Sequence, residues 1–319
     1  MDETTGEPTD DSKANVDDQH SAHLQVDEKT TSGVSWTEAL VTLDRRWVFL
    51  LMALAVGVPT LLRLQFDEKP TGLSKQVFDQ IEQLPNGSDV LLSFDFGPAS
   101  EGELGPMATS LVRHCCEKDH RMFFMCLWPL GEQMIDQQVQ YVIRTDFPDK
   151  TYGTDYVVLG FKSGNEGVIK VLATDFRSAY ASDSRKTALE QIPMCRDIES
   201  VKSFDLIANV SAGYPGAKEW VQYAATPQNV PIVAGATGVQ SPGLYPYVPA
   251  QLPGLLAAIK GAADYEVLVS QAYAEDVVLD RVRYGEARRR MGPQLVAHLL
   301  VIGLIVAGNV IYLMQRRAA

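Results

Sequence analysis

A short apolar run that ends abruptly places the strongest limit on the fold of this chain. Residues 90–95 read VLLSFD, and Gly97-Pro98 follows almost directly. A nearly continuous apolar run bounded by turn residues is typical of a parallel strand that is covered on both faces. A helix-like segment over 103–116 and a second apolar run over 122–128 come next. The sequence therefore predicts a β-α-β unit.

The same alternation continues along the chain. Strands are predicted at 89–95, 121–128, 156–161, 204–211 and 230–235, with helices at 103–117, 130–144, 184–192 and 215–224 and an extra short strand at 167–174. Strands that alternate with helices predict a parallel sheet with helices on both faces. Right-handed crossovers then give a doubly wound, three-layer α/β domain. At the level of architecture, this layout resembles doubly wound folds of the flavodoxin or periplasmic-binding-protein kind.

Two long apolar runs flank this domain, one from Trp47 to about residue 66 and one over about 293–314. Each approaches the roughly 20 apolar residues that cross a bilayer as a helix. The first run starts deep in the chain and lacks a small-residue cleavage site, which argues against a cleaved signal peptide. The sequence therefore predicts an α/β domain flanked by two transmembrane helices.

The remaining segments complete the predicted domain plan. Residues 1–45 are polar, acidic and poor in aromatics, so they cannot bury enough apolar surface to order themselves. Helix-forming residues dominate 253–290, and a helix running beyond the sheet would form a stalk to the membrane. In chain order we predict a disordered acidic tail (1–45), a transmembrane helix (46–66), a linker helix (67–88), the α/β domain (89–265), a stalk helix (266–291), a transmembrane helix (292–315) and a basic tail (316–319).

Charge and cysteine content limit the class of partner. The chain carries a net charge of -12, concentrated in its first 44 residues, and the domain has no basic stripe. We therefore predict no nucleic-acid partner. The cysteines are Cys115, Cys116, Cys126 and Cys195, and two of them are adjacent. This spacing does not form a disulfide framework, and free thiols suit a reducing compartment.

The basic residues near the apolar runs bear on orientation. On the domain side they are Arg63, Lys69, Lys75, Arg281, Arg283, Arg288, Arg289 and Arg290; on the other side they are Lys29, Arg45, Arg46, Arg316 and Arg317. Because short loops rich in Lys and Arg stay in the cytoplasm, the larger set predicts a cytoplasmic domain. The opposite orientation, which keeps Arg45-Arg46 and Arg316-Arg317 inside, is the alternative.

A ligand site is predicted at the carboxyl ends of the strands, where open α/β sheets bind their ligands. The candidate ligand-binding residues are Asp95, Phe96, Gly97, Trp128, Ser211, Gly213, Tyr214, Gly216, Gly235 and Thr237. Glycines at these positions let the backbone approach a ligand closely. They also precede the first turn of a helix, where free N–H groups favour anions. Glycine is also common in turns that bind nothing. We expect Tyr214 and Phe96 to border one concave pocket with the backbone of 211–216 as its floor.

The sequence offers few candidates for catalytic residues. The sequence Asn209-Val-Ser211-Ala-Gly213 follows a predicted strand, as the nucleophile elbow G-x-S-x-G of α/β-hydrolases does. Asn209 stands where that motif has its first glycine. The base of such a hydrolase is a histidine later in the chain, and His298, within the second apolar run, is the only one. A lysine or carboxylate would have to serve instead. No catalytic residue is therefore predicted.

Metal and nucleotide sites also lack support in the sequence. His114, Cys115, Cys116 and His120 are close together, yet no second ligand pair completes a tetrahedral site. Neither a P-loop nor a G-x-G-x-x-G motif follows a predicted strand. We therefore predict no metal and no cofactor.

These observations predict a membrane-anchored, non-catalytic α/β domain that binds a partner protein or a small ligand within a membrane assembly. The alternative is a membrane-bound, hydrolase-like enzyme that uses Asp95 and Ser211. Geometry discriminates between them. Convergence of the two side chains in a pocket beside a lysine or arginine would favour the enzyme, whereas burial of either side chain in packing would disfavour it.

Overall fold

A computed structural model describes residues 44–64, 69–274 and 283–318. The predicted acidic tail falls outside these residues except at its last two positions, and part of the predicted stalk, 275–282, falls outside them as well.

Six parallel strands form one sheet. They are β1 (Asp89–Asp95), β2 (Arg121–Cys126), β3 (Tyr156–Phe161), β4 (Leu206–Ser211), β5 (Ile232–Ala236) and β6 (Gly254–Ala257). Their order is β3-β2-β1-β4-β5-β6, and every neighbouring pair is parallel. The predicted parallel α/β sheet is confirmed. This order belongs to dinucleotide-binding doubly wound sheets rather than to flavodoxin, and its topological switch point lies between β1 and β4.

Helices cover both faces of the sheet. They are α1 (Arg45–Leu61), α2 (Gly72–Glu82), α3 (Pro98–Glu117), α4 (Gly131–Gln138), α5 (Glu166–Leu172), α6 (Phe176–Ala179), α7 (Ala217–Trp220), α8 (Ala258–Tyr273) and α9 (Glu286–Ala318). Helices α4 and α7 continue through the π-helical turns Val139–Ile143 and Val221–Ala225 into Arg144–Asp146 and Thr226–Gln228. Helices α2, α3, α4 and α8 pack on one face, and α5, α6 and α7 pack on the other.

Burial on both faces explains the apolar run that marks β1. All seven of its residues are buried. Val90, Leu92 and Phe94 enter the core beneath α3, and Leu91 enters the core on the opposite face. Since side chains alternate along a strand, both sets of positions must be apolar when both faces are covered.

The segment 167–174 forms helix α5 rather than the predicted extra strand. Val168, Ile169 and Leu172 are buried together. Their i, i+1, i+4 spacing places them on one side of a helix, and a short apolar run does not by itself distinguish a strand from a helix. The prediction failed because the run was judged by composition rather than by this spacing.

Residues 184–192 also differ from the predicted helix and contain only the short 3₁₀ turn Leu189–Gln191. The buried carboxylate of Asp183 accepts hydrogen bonds from the backbone N–H groups of Arg185 (3.0 Å) and Thr187 (2.8 Å). Such side-chain acceptors compete with the helical hydrogen-bond pattern. The Asp183 side chain therefore holds this segment as a loop.

Strand β6 occupies the start of the segment that was predicted to be a single helix over 253–290. A side chain on Gly254 would place its Cβ 2.5 Å from the backbone nitrogen of Val77 in α2. Glycine is therefore required for α2 to pack closely against the edge of the sheet.

The predicted stalk takes a different form in the described residues. Helix α8 ends at Tyr273, and α9 packs back along α8 from Glu286. The buried Glu266 carboxylate accepts hydrogen bonds from the backbone N–H groups of Ala287 (2.7 Å) and Arg288 (3.1 Å). Burial raises the pKa of Glu266 to about 7. The start of α9 is thus fixed to the domain and is not a spacer.

Within the described residues, one helix, Glu286–Arg316, is long and apolar enough to cross a membrane. Helix α1 packs beside it but has 17 residues and contains Pro59. At 1.5 Å per residue α1 spans about 26 Å, slightly less than the roughly 30 Å of a bilayer core. The first predicted span is therefore shorter than its apolar composition suggested.

A buried histidine joins α2, α3 and α8 at the amino-terminal edge of the sheet. His114 contacts the Tyr265 hydroxyl through Nδ1 (2.6 Å) and the Glu82 carboxylate through Nε2 (2.8 Å). Because a carboxylate only accepts, Nε2 carries the proton and Nδ1 accepts from Tyr265. Desolvation lowers the pKa of His114 to about 4, although Glu82 opposes that shift. These contacts give His114 a structural role.

Substitution of His114 with glutamine is expected to weaken the acid sensitivity of folding. In the folded protein the pKa of His114, about 4, lies below the usual histidine pKa of 6.5. His114 therefore contributes stability that is present above pH 6.5 and is lost as the pH falls toward 4. Between pH 7 and pH 5 this loss is about 2 kcal/mol, which the variant should not show. Denaturant unfolding of both proteins in detergent at the two pH values measures the difference, and equal losses would contradict the assignment.

Candidate functional site

The side chain of Asp95 is sealed at the end of β1. It is fully buried, and its Oδ2 accepts hydrogen bonds from Ser93 (2.8 Å), Asn209 (2.7 Å) and Trp220 (3.3 Å). Its Oδ1 accepts from the backbone N–H of Leu127 at 2.7 Å. Burial raises the pKa of Asp95 to about 6, and the four donors limit that rise. Asp95 therefore links β1, β2, β4 and α7 rather than facing a ligand.

Three other predicted site residues serve packing at the same edge. Phe96 is fully buried beside Phe94, so it does not border a pocket as predicted. A Cβ on Gly235 would lie 2.9 Å from the sulfur of Met107 in α3. The absence of a side chain here therefore lets α3 pack closely against the sheet. Thr237 is buried, and its backbone oxygen accepts hydrogen bonds that start the turn after β5.

The crevice at the topological switch point is filled by the chain itself. The indole of Trp128 donates a hydrogen bond to the backbone oxygen of Pro215 at 3.0 Å and lies against Gly213. Leu130 packs against Gly97, where a Cβ would meet the Cβ of Leu130 at 3.0 Å. Dinucleotide-binding sheets of this strand order hold the pyrophosphate at the helix after β1. Here Leu130 covers that approach.

The turn after β4 is closed by its own side chains. Ser211 Oγ accepts a hydrogen bond from the backbone N–H of Ala217 (3.0 Å), and Glu219 accepts one from Gly216 (2.9 Å). A Cβ on Gly216 would lie 2.3 Å from the oxygen of Gly213, so only glycine fits there. Because two N–H groups at the start of α7 already have acceptors, the predicted anion-binding role of this turn loses its main donors.

An open cavity of about 250 Å³ lies one strand away from the switch point, at the carboxyl ends of β4 and β5. Ser211, Gly213 and Tyr214 line it, as predicted, on the side of β4. The sequence analysis missed the rest of its lining, which comprises Ala217, Lys218, Glu219, Ala236, Gln240, Gly243 and Leu244. Lys218 and Gln240 directly follow the glycine turns after β4 and β5, and that position could have indicated them.

The cavity offers a mixed set of contacts for a ligand. The side chains of Tyr214, Lys218 and Gln240 are exposed at its mouth, and Leu244 is buried in its wall. Aromatic, cationic and amide groups on loops that a rigid sheet supports are suited to recognition. No group of three or more His, Cys, Asp or Glu side chains close enough to hold a metal occurs in the part of the chain that the structure describes.

Exposed apolar side chains surround this edge of the sheet. Leu130 (58 %), Tyr214 (57 %), Val239 (87 %) and Tyr245 (48 %) are strongly exposed and lie on loops that follow β2, β4 and β5. Four strongly exposed large apolar side chains on the loops of one edge are more than the singly scattered exposed residues of an ordinary surface.

Comparisons with known proteins add no functional information. No family model, no curated protein and no solved structure matches this chain.

Proposed function

We propose that this chain is a membrane-anchored, non-catalytic α/β domain that binds a partner protein or a small ligand at the cavity between β4 and β5. One observation carries the proposal: an open cavity at the carboxyl ends of β4 and β5 is lined by recognition-type side chains, whereas Asp95 at the end of β1 is fully buried. The partner would belong to an assembly in the same membrane.

The hydrolase alternative loses support for the same reason. Asp95 and Ser211 are paired in register on adjacent strands. The Asp95 carboxylate is nevertheless fully buried, and Ser211 Oγ accepts a hydrogen bond from the start of α7. A nucleophile needs a base within hydrogen-bond reach, and the carboxylate nearest in the sheet is committed to four donors.

The anchor in this proposal consists of both apolar helices, α1 and α9. They pack side by side, and their large apolar side chains are exposed to the surroundings. Exposed Leu, Val and Ile along two paired helices match a lipid environment rather than water.

We further propose that the domain is cytoplasmic, in keeping with the basic residues on its side of the anchor and with four buried, unpaired thiols. Ser163 is exposed on the loop after β3, and cysteine replaces serine there with little change in size. A thiol reagent that cannot cross membranes should label Ser163→Cys only after lysis of the cells. The unmodified protein controls for the native cysteines, and labelling in intact cells would reverse the orientation.

The binding proposal is tested by cross-linking from the cavity in native membranes. A photoreactive phenylalanine analogue at Tyr214 should give a discrete product, and the same analogue at the exposed Tyr141, away from the cavity, should not. Adding Gly213→Val should abolish the product because the larger side chain would crowd the Trp128 ring, 3.4 Å from the new Cβ, at the wall of the cavity that Gly213 lines. Equal labelling from Tyr141, or a product that persists with Gly213→Val, would contradict the proposal.

A further inference from the structure

The course of α9 shows which edge of the domain faces the membrane anchor. Near its start, the Tyr284 hydroxyl donates a hydrogen bond to Glu117, at the carboxyl-terminal end of α3 (2.7 Å). Further along, Arg290 donates to the backbone oxygen of Gly102, in the first turns of α3 (2.6 Å). Helix α3 runs from the carboxyl edge of the sheet to its amino edge. Helix α9 therefore runs the opposite way and leaves the domain at the carboxyl edge.

The other apolar helix meets the domain at the same edge. The backbone oxygen of Leu64, just after α1, lies so close to Gly292 that a Cβ there would be 2.1 Å away. Where the described chain resumes, the oxygen of Lys69 accepts a hydrogen bond from Lys260, in the first turn of α8. Because α8 begins directly after β6, this contact also lies at the carboxyl edge.

The distance from this edge to the lipid is short. Arg290 contacts the first turns of α3, and Leu295 is the first strongly exposed apolar side chain of α9. Five residues of helix rise about 8 Å. The headgroup layer on each side of a bilayer core is roughly 5 to 8 Å thick. Loops at the level of Arg290 therefore lie at the depth of the lipid headgroups.

The exposed apolar side chains described above lie on loops at that level. The loop that carries Val239 is tied to α3, because Glu103 accepts a hydrogen bond from the backbone N–H of Gly238 at 2.8 Å. Leu130 lies against Gly97, which caps the start of α3. Tyrosine and aliphatic side chains at this depth are typical of protein surfaces that contact a membrane.

Basic side chains occupy the junction between the anchor and the domain. An open cavity of about 500 Å³ there is lined by Thr60, Arg63, Glu286, Arg289, Arg290 and Pro293. Its lining holds three arginines, of which Arg290 pairs with Glu286 (2.5 Å) and with Glu101 (3.4 Å). Guanidinium groups are suited to bind phosphate, so this cavity matches the headgroup of an anionic phospholipid.

We infer that the carboxyl edge of the domain rests on the membrane surface, with Leu130, Tyr214, Val239 and Tyr245 in contact with lipid. The inference depends on the proposed membrane anchorage. It places the mouth of the cavity between β4 and β5 at the membrane, so that a ligand or partner reaches that cavity along the lipid surface. A lipid surface is favoured over a soluble protein because both helices join the domain beside these loops.

The test uses the full chain in nanodiscs that contain phosphatidylglycerol, with an environment-sensitive fluorophore on Val239→Cys. The emission should shift to shorter wavelength, and spin-labelled lipid should quench it several-fold more strongly than the same fluorophore on Asn86→Cys. Asn86 is exposed at the amino edge and provides the matched control. Equal quenching at the two positions would overturn the inference.

Two further measurements separate the possible failures. Co-elution of the protein with the nanodiscs reports anchorage, so anchored protein without quenching at Val239 rejects only the docking of this edge. Failure to enter nanodiscs would reject the anchor and the docking together. Nanodiscs of phosphatidylcholine alone should reduce the quenching, as should Arg63→Ala, because both remove the charge attraction at the junction. Quenching that is unchanged in both cases would reject the role of the arginine cavity.

Discussion

Replacement of Asp95 with alanine is expected to remove a large part of the free energy that stabilises the fold. The change removes the acceptor of four hydrogen bonds, including those from the Leu127 backbone, Asn209 and Trp220, inside a fully buried site. Each buried donor left without a partner costs about 1–3 kcal/mol. The combined loss is at least about 4 kcal/mol, a large part of the roughly 5–15 kcal/mol that stabilises a typical domain. Denaturant unfolding in detergent measures it.

Asp79→Ala is the matched control because it removes the same charge from a partly exposed carboxylate, which pairs with Lys75 on α2. Such surface ion pairs contribute about 0–1 kcal/mol. If the stability of Asp95→Ala equalled that of this control, the structural role of Asp95 would be wrong, and its assignment as a candidate catalytic group would have to be reconsidered.

Gly216→Ala is expected to destabilise the domain by about 1–3 kcal/mol, since overpacking of a closed site forces the backbone to shift. The added Cβ would lie 2.3 Å from the oxygen of Gly213 and 2.6 Å from Ser211 Oγ. Relief of that overlap would break the hydrogen bonds from Ala217 to Ser211 and from Gly216 to Glu219. Thermal and denaturant unfolding of the full chain in detergent would measure the loss.

Gly213→Ala provides the comparison three residues earlier. There the new Cβ would meet ring carbons of Trp128 at 3.4 and 3.5 Å, which is ordinary contact. We expect its stability to stay within about 0.5 kcal/mol of the unmodified protein. Similar losses in both variants would mean that the turn tightens at Gly213 as well, and the cavity could not then be probed by substitution at that residue.

The sheet could be predicted from the sequence because its strands are buried on both faces. The run at β1 and the run over 156–161 could be recognised without tertiary information, since a parallel strand covered on both faces is mostly apolar. Segment 167–174 shows the limit of that rule, because α5 is also short and apolar. Strand β6 was missed since its four residues merge with the helix that follows.

The cavity between β4 and β5 lies at the edge where the sequence analysis placed its candidate site, but the sequence did not reveal the detailed arrangement there. Strand order cannot be derived from strand positions, so the sequence did not show that β4 lies beside β1 and that the crevice would fall between them. Nor did it show that Trp128 would fill that crevice through its contact with Pro215. Side-chain packing of this kind depends on contacts between residues 87 positions apart.

The attachment of α9 also determines how the domain would carry a mechanical load. The Glu266 carboxylate binds the first turn of α9, and Arg290 binds the first turns of α3. Helix α9 is therefore attached to the domain at two points along its axis. If α9 is the membrane anchor proposed above, a pull on its apolar part acts along the axis of this continuous helix. The two sets of contacts would then be loaded together, in shear. A force perpendicular to the helix axis would instead break them one after the other. A domain attached to α9 in this way would resist force applied through α9 without a rigid connecting helix.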